Sequence, residues 1–134
     1  MNYLEILTNA AHHYQILASV LISLCSVETG LKNLNNLTDR NGGSYGICQV
    51  SIRTAKYIEG NHVTTETLSD PYVNAYIAAK YLKKLYDKYG RYDYAVAAYN
   101  MGHVKIINNK IVNKNYIDKV MKLEYNMRNG EKYE

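Results

Sequence analysis

Residues 17–30 read LASVLISLCSVETG, and this stretch decides the fold of the 134-residue chain. Four of its side chains recur at helical spacing: Leu17, Leu21, Leu24 and Glu28. Side chains three or four positions apart share one face of an α-helix, and three leucines on that face predict that it is buried. Thr29 and Gly30 are typical of a helix end. The pattern therefore predicts a buried helix over residues 15–28.

Glu28 is an acid in an otherwise apolar pattern. A carboxylate is poorly solvated beside leucines, and the negative end of the helix dipole also disfavours its charge. Both effects favour the neutral acid, and an acid that keeps its proton can protonate a glycosidic oxygen. Glu28 is therefore a candidate general acid of a glycosidase, although for an isolated Glu a solvated position at a helix end is the ordinary interpretation.

The remaining sequence predicts a mainly α fold. Capping residues, Pro and Gly place the other helices at residues 3–12, 52–59, 71–89, 94–100 and 116–128, with a short turn at 64–68. Residues 32–45 are rich in Asn, Thr, Asp and Gly, so we expect an irregular loop or a small hairpin over an active-site cleft. No alternating strand of four or more residues is recognisable.

The length fits one domain over residues 1–134, with 129–134 as a flexible tail. The formal net charge of +4 suits an anionic polymer, but no nucleic-acid-binding motif is present, so nucleic acid is not an expected partner. The longest apolar run, residues 16–25, is too short to span a bilayer, and we expect no membrane insertion. It also lacks the flanking residues of a signal peptide.

Cys25 and Cys48 are too few for a disulfide framework, and with the four histidines they match no metal-binding spacing. We therefore expect no metal and no other cofactor. The two thiols would meet only if the helix that carries Glu28 packs beside the segment that contains Gln49. Free, buried thiols are the favoured expectation, and a disulfide is the alternative.

Four separated segments resemble motifs of the lysozyme-like lytic transglycosylase family, in its soluble-lytic-transglycosylase or goose-type lysozyme branch. Val-Glu-Thr-Gly at 27–30 is similar to a Glu-Ser-Gly segment, and Gly-Ile-Cys-Gln-Val at 46–50 is similar to Gly-Leu-Met-Gln-Ile. The third segment, 70–85, begins with Asp-Pro and contains Tyr-Leu. The fourth, Ala-Ala-Tyr-Asn-Met-Gly at 97–102, is similar to Ala-Ala-Tyr-Asn-Ala-Gly. The closing helix, 116–120, is similar to Tyr-Val-x-Lys-Val. Their order over residues 16–122 makes the resemblance specific.

The resemblance implies a single lysozyme-like helical domain that cleaves the β-1,4 bond between N-acetylmuramic acid and N-acetylglucosamine in peptidoglycan. Glu28 would act first as the acid and then as the base. In a transglycosylase the nucleophile is the C6 hydroxyl of the muramic acid, which gives a 1,6-anhydro end, whereas a goose-type lysozyme uses water. For hydrolysis, Asp39 is the nearest candidate for a second carboxylate. The alternative of another class is a non-catalytic subunit that binds peptidoglycan.

The resemblance also implies the residues that bind substrate. Gln49 and Asn100 would hydrogen-bond sugar groups, and Tyr99 would place its hydroxyl near Glu28. The cleft floor would be formed by the backbone of Gly46 and Ile47.

Tyr45, next in the chain, either stacks on a sugar ring or fills the core. We expect a monomer that acts in the periplasm or cell wall. Because the chain shows no signal peptide, we expect delivery by phage lysis or tail machinery, by a secretion system, or through a signal that has been removed.

Overall fold

The computed structural model describes residues 2–38 and 42–130. These residues form seven helices: α1 (Tyr3–His13), α2 (Ala18–Thr29), α3 (Ile52–Glu59), α4 (Thr65–Leu68), α5 (Pro71–Tyr89), α6 (Tyr92–Met101) and α7 (Lys114–Arg128). They also form five two-residue strands: β1 (Asn35–Asn36), β2 (Ser44–Tyr45), β3 (Val50–Ser51), β4 (Ile106–Ile107) and β5 (Lys110–Ile111). The prediction of a mainly α, lysozyme-like domain is confirmed. None of the described helices is long and apolar enough to cross a membrane.

Helix α2 lies in the core, where it packs against α1, α5 and α7. Leu21 and Leu24 are fully buried, as their spacing predicts. Leu17 is an exception, because it precedes the helix as its N-cap residue and is 50% exposed. The predicted start at Gln15 is wrong because that residue has a positive φ of 58°, which lies outside the right-handed helical region.

The caps of α3 and α5 follow the predicted signals. The Ser51 hydroxyl accepts a hydrogen bond from the Thr54 amide at the start of α3. The Asp70 carboxylate accepts bonds from two backbone amides in the first turn of α5, and Pro71 occupies the first helical position. These local side-chain bonds satisfy amides that the helix itself leaves without partners.

The predicted starts of α6 and α7 are displaced. Helix α6 begins at Tyr92, so Asp93 lies in its first turn, where the carboxylate accepts from the Arg91 guanidinium and from the Tyr94 amide. Helix α7 begins after Asn113, whose side chain makes no cap bond and donates to the Ala97 carbonyl of α6. In both cases the predicted cap residue, Asp93 or Asn115, lies within the helix near its start.

The segment after α2 contains the predicted small hairpin, extended by a third strand. Strands β1, β2 and β3 pair in antiparallel order, with Asn35 opposite Tyr45 and Ser44 opposite Ser51. Two-residue strands are too short to leave an alternating pattern, so β3 had no signal in the sequence. Strands β4 and β5 form a second hairpin between α6 and α7. Asp39 and residues 131–134 of the predicted tail lie outside the described residues.

The expectation of free thiols is wrong, because Cys25 and Cys48 form a disulfide. Both cysteines are fully buried. Helix α2 packs beside the segment after β2, and the Thr29 hydroxyl donates to the Ile47 carbonyl at 2.7 Å. This packing brings the two cysteine Cα atoms to 4.3 Å from each other. The disulfide therefore links α2, three residues before Glu28, to the residue next to Gln49.

Candidate active site

A polar cleft with a volume of about 210 Å³ lies at the C-terminal end of α2. It brings together residues that are distant in the sequence and belong to α2, the β-sheet, α3, α5 and α6. The lining residues are Glu28, Ser44, Gln49, Val50, Ser51, Thr54, Tyr81, Tyr99, Asn100, Met101 and Gly102. Four of the residues singled out in the sequence, Glu28, Gln49, Tyr99 and Asn100, are among them.

The half-buried Glu28 side chain lies in the last turn of α2, which Gly30 ends in a left-handed conformation. Its Oε2 atom accepts a hydrogen bond of 2.5 Å from the hydroxyl of Tyr116 in α7. A hydrogen bond between a phenol and a carboxylate is among the stronger ones in proteins. Helix α7 therefore fixes one oxygen of the carboxylate from a position 88 residues further along the chain.

Two tyrosines near Glu28, the buried Tyr99 and the partly buried Tyr116, keep their protons. Burial raises the pKa of the Tyr116 hydroxyl well above its usual value, and the charge of Glu28 and the hydrogen bond to it add to the rise. Burial also raises the pKa of Tyr99 well above its usual value, again with a contribution from the charge of Glu28. Both phenols are hydrogen-bond donors near neutral pH. Glu28 is the only carboxylate among the described residues that line the cleft.

Tyr99 forms part of the cleft wall. Its hydroxyl donates to the Cys48 carbonyl at 2.8 Å, and its ring centroid lies 5.3 Å from that of Tyr81. Only 9% of the residue is exposed. The charge of Glu28 contributes to the raised pKa of this hydroxyl, but the hydroxyl donates its hydrogen bond to the Cys48 carbonyl, beside Gln49.

Gln49 follows a tight turn with a positive φ of its own, 49°. Its side-chain nitrogen donates to the Leu34 carbonyl at 2.8 Å and to the Gly46 carbonyl at 3.1 Å. These bonds hold the amide in place, so that its oxygen is the group available to a ligand. Because Gln49 is half-buried at the cleft wall, that oxygen can accept a hydrogen bond from a sugar.

Asn100 is exposed at the end of α6. Its Oδ1 atom accepts a hydrogen bond of 3.0 Å from the side-chain nitrogen of Asn113, which also donates to the Ala97 carbonyl. With the oxygen engaged in this way, the amide nitrogen of Asn100 is the group that can donate to a ligand. Asn100 and Gln49 thus offer the cleft one donor and one acceptor.

The sequence model of the transglycosylase SLT domain family matches residues 5–122 of the chain. The chain belongs to this family. It is therefore an enzyme of the lytic transglycosylase, lysozyme-like class, which acts on cell-wall peptidoglycan, and not the non-catalytic subunit of the alternative prediction. No curated protein matches the chain.

Three of the residues expected in the site of this SLT domain lie behind the cleft wall. Ile47 is fully buried and Tyr45 is 7% exposed, and both belong to the core. Gly46 is also buried, and the cleft lining includes none of the three. The ring of Tyr45 therefore fills the core, as one of its two sequence interpretations had it.

Asn74 of α5 holds the turn at Gly46. It is fully buried, its side-chain nitrogen donates to the carbonyls of Tyr45 and Leu68, and its oxygen accepts from the Cys48 amide. Gly46 has a φ of 79°, and a Cβ atom there would lie 2.5 Å from the Asn74 amide. The turn therefore requires glycine both for its conformation and for the space that Asn74 occupies.

Sequence reasoning missed several residues of the site. Ser44 and Tyr81 line the cleft, Tyr116 binds Glu28, and Asn74 supports the turn. Tyr116 had one available signal, since it opens the closing segment of the family resemblance. Among 15 tyrosines that also have to fill the core, that signal did not point to a contact with Glu28.

Within residues 2–38 and 42–130, no group of three His, Cys, Asp or Glu side chains is arranged to hold a metal ion.

Proposed function

We propose that this enzyme is a lytic transglycosylase that cleaves the β-1,4 bond between N-acetylmuramic acid and N-acetylglucosamine, with Glu28 as its general acid and base. The observation that carries the proposal is the position of Glu28. It lies in the cleft, one of its oxygens is held by Tyr116, and no other described residue of the lining is a carboxylate.

In the first step, protonated Glu28 donates its proton to the glycosidic oxygen. The bond between C1 of the muramic acid and that oxygen breaks, and N-acetylglucosamine leaves with a new hydroxyl group. Tyr116 occupies Oε2 as a donor, so the transferred proton belongs on Oε1. Tyr116 is thus a positioning residue, because it orients the acid and keeps its own proton.

In the second step, the C6 hydroxyl of the same muramic acid attacks C1, and ionised Glu28 takes the hydroxyl proton. The new O6–C1 bond closes the 1,6-anhydro ring, and Glu28 returns to its protonated state. One carboxylate is enough for this cycle, since the nucleophile is already attached to the substrate. Attack by water, with Asp39 as a second acid, is the competing route.

Gln49 and Asn100 bind sugar groups in this proposal, as acceptor and donor respectively. Tyr99 shapes the wall beside Gln49, and Gly46 and Ile47 hold the turn from behind. The predicted monomeric state and the predicted delivery by phage or secretion machinery remain proposals.

Mass spectrometry of the soluble products from purified peptidoglycan tests the proposal. Wild-type protein is expected to release 1,6-anhydro-muramyl fragments, which are lighter by one water than hydrolytic products. Glu28→Gln, which keeps the size of the side chain, is expected to fold and to release almost none. Hydrolytic products would instead identify a lysozyme, with Asp39→Asn as the next variant, and a fully active Glu28→Gln would overturn the role of Glu28.

A further inference from the structure

A second groove, with a volume of about 470 Å³, continues from the cleft. The two share three lining residues, Thr54, Tyr81 and Gly102. The groove then runs between α3 and α5. A ligand that lies in the cleft can therefore extend into this groove without leaving the protein surface.

The groove is basic. Arg53 of α3 and Lys84 and Lys88 of α5 line it, and no carboxylate does. Lys84 and Lys88 are four residues apart, so they lie on the same face of α5. None of these three cations forms an ion pair with a residue that the structure describes.

The nearby acids are already paired with other lysines. Asp87 of α5 binds Lys83 at 3.1 Å, and Glu59 of α3 binds Lys80 at 2.9 Å. Both pairs lie outside the groove lining. The positive charge of the groove is therefore not neutralised by its own two helices, and it is available to an anionic ligand.

The groove also has an aromatic wall. Tyr57 is 70% exposed, and the Lys84 ammonium lies 5.1 Å from the centre of its ring. Lys88 lies 5.2 Å from the ring of Tyr89. The aromatic rings hold the lysine stems against the protein and leave a mixed surface of apolar and cationic groups.

We infer that this basic groove binds the peptide stem of the glycan strand whose sugars occupy the cleft. The inference rests on the proposed function, because the strand must first lie in the cleft. A stem peptide branches from the muramic acid and carries free carboxylates on its acidic residues and at its C-terminus. Arg53, Lys84 and Lys88 pair with these carboxylates, and Tyr57 contacts the apolar parts of the peptide. The groove thus selects strands that still carry their stems.

Binding to two kinds of strand tests the inference. Soluble glycan strands with intact stems are compared with the same strands after an amidase has removed the stems. The Glu28→Gln protein is used, so that the strands are not consumed. Two further variants are made in this Glu28→Gln protein. The Gln set combines Arg53→Gln, Lys84→Gln and Lys88→Gln. The charge-keeping set combines Arg53→Lys, Lys84→Arg and Lys88→Arg.

The Gln set is expected to weaken binding of stem-bearing strands roughly 10-fold, the order expected for a few exposed ion pairs, and to leave binding of stripped strands unchanged. The charge-keeping set should bind both strands like its parent. A matched control removes three exposed lysines that line neither the cleft nor the groove: Lys105→Gln, Lys119→Gln and Lys122→Gln. This control should change neither affinity.

Equal weakening for both kinds of strand, or the same loss in the control set, would overturn the inference, because either result means a general effect of charge. Unchanged binding in the Gln set would overturn it as well. Failure of the proposed function is distinguishable, since it appears as the absence of anhydro products from wild-type protein. The binding comparison decides about the groove in either case.

Discussion

The Tyr116 hydroxyl donates a hydrogen bond of 2.5 Å to Oε2 of Glu28, which joins the last helix of the chain to the C-terminal turn of α2. Tyr116 is partly buried, and its raised pKa keeps it a donor. Tyr116 therefore orients the carboxylate as a hydrogen-bond donor and keeps its own proton.

Replacing Tyr116 with Phe tests this orientation. The variant keeps the ring and loses the hydroxyl, so we expect kcat to fall about 10- to 100-fold, as for the loss of a hydrogen bond to a charged group. KM should change little. Tyr125→Phe is the matched control, because Tyr125 lies on the same helix and is 56% exposed. Equal rates for Tyr116→Phe and wild type would contradict the positioning role.

The disulfide should contribute strongly to stability. It closes a loop with a sequence separation of 23 residues, for which the loss of unfolded-chain entropy predicts about 3 kcal/mol. Reduction should therefore lower the midpoint of thermal unfolding, measured by circular dichroism. Because Cys48 adjoins Gln49, cleavage at a temperature near that midpoint should fall in parallel. The variant with both Cys25→Ala and Cys48→Ala is the control, since reductant should not affect it.

Two glycine variants separate crowding from backbone strain. Gly46 and Gly30 both have positive φ, 79° and 67°, but only at Gly46 would a Cβ atom meet another group, the Asn74 amide at 2.5 Å. We expect Gly30→Ala to lower the free energy of unfolding by about 1 kcal/mol. Gly46→Ala should cost about 3 kcal/mol or more, because the buried Asn74 must also move. Urea denaturation measures both, and equal losses would refute the crowding argument.

Alkaline pH should destabilise the protein through its buried tyrosines. The unfolded chain releases a tyrosine proton near pH 10, whereas in the folded state burial and the neighbouring Glu28 raise the pKa of Tyr116 and Tyr99. Above about pH 10 the folded state therefore holds more protons, and the free energy of unfolding falls as pH rises. This stability is fully present below pH 10.

Each tyrosine contributes a slope of up to about 1.4 kcal/mol per pH unit in that range. Tyr116→Phe should flatten the dependence by one such contribution, and the exposed control Tyr125→Phe should leave it unchanged. Denaturant unfolding at a series of pH values between about 8 and 11 measures the slopes. Identical slopes for wild type and Tyr116→Phe would contradict the raised pKa.

Local rules predicted much of the fold. Asp70 and Pro71 mark the start of α5 and Gly90 its end, because capping bonds and backbone conformation involve residues within one turn of each other. The same rules placed the start of α7 at residue 116, two residues too late. The observed cap residue, Asn113, donates its side-chain amide to the Ala97 carbonyl of α6, and a rule that considers only sequence neighbours cannot detect a contact across 16 residues.

The residues of the candidate site were likewise predicted only in part. Spacing put Glu28 on the core side of α2, and the family resemblance named Gln49, Tyr99 and Asn100, which the structure brings to one cleft. The family resemblance assigned Ile47 to the cleft floor, and Tyr45 was a candidate because it adjoins Gly46. Both side chains face the core, because the chain turns at residues 46–49 and the packing of that turn on Asn74 decides which side chains reach the cleft.

The sequence by itself determined the helical class, which follows from local capping signals along the chain, and the buried face of α2 and the candidate acid, which follow from spacing along one helix. Only the tertiary structure decided that Tyr116 holds Glu28, that Cys25 and Cys48 are bonded, and that Arg53 and Lys84 face one groove. Each of these relationships joins residues that the chain keeps apart and that come together only when helices pack. Packing depends on the fit of whole surfaces, which the spacing within one segment does not encode.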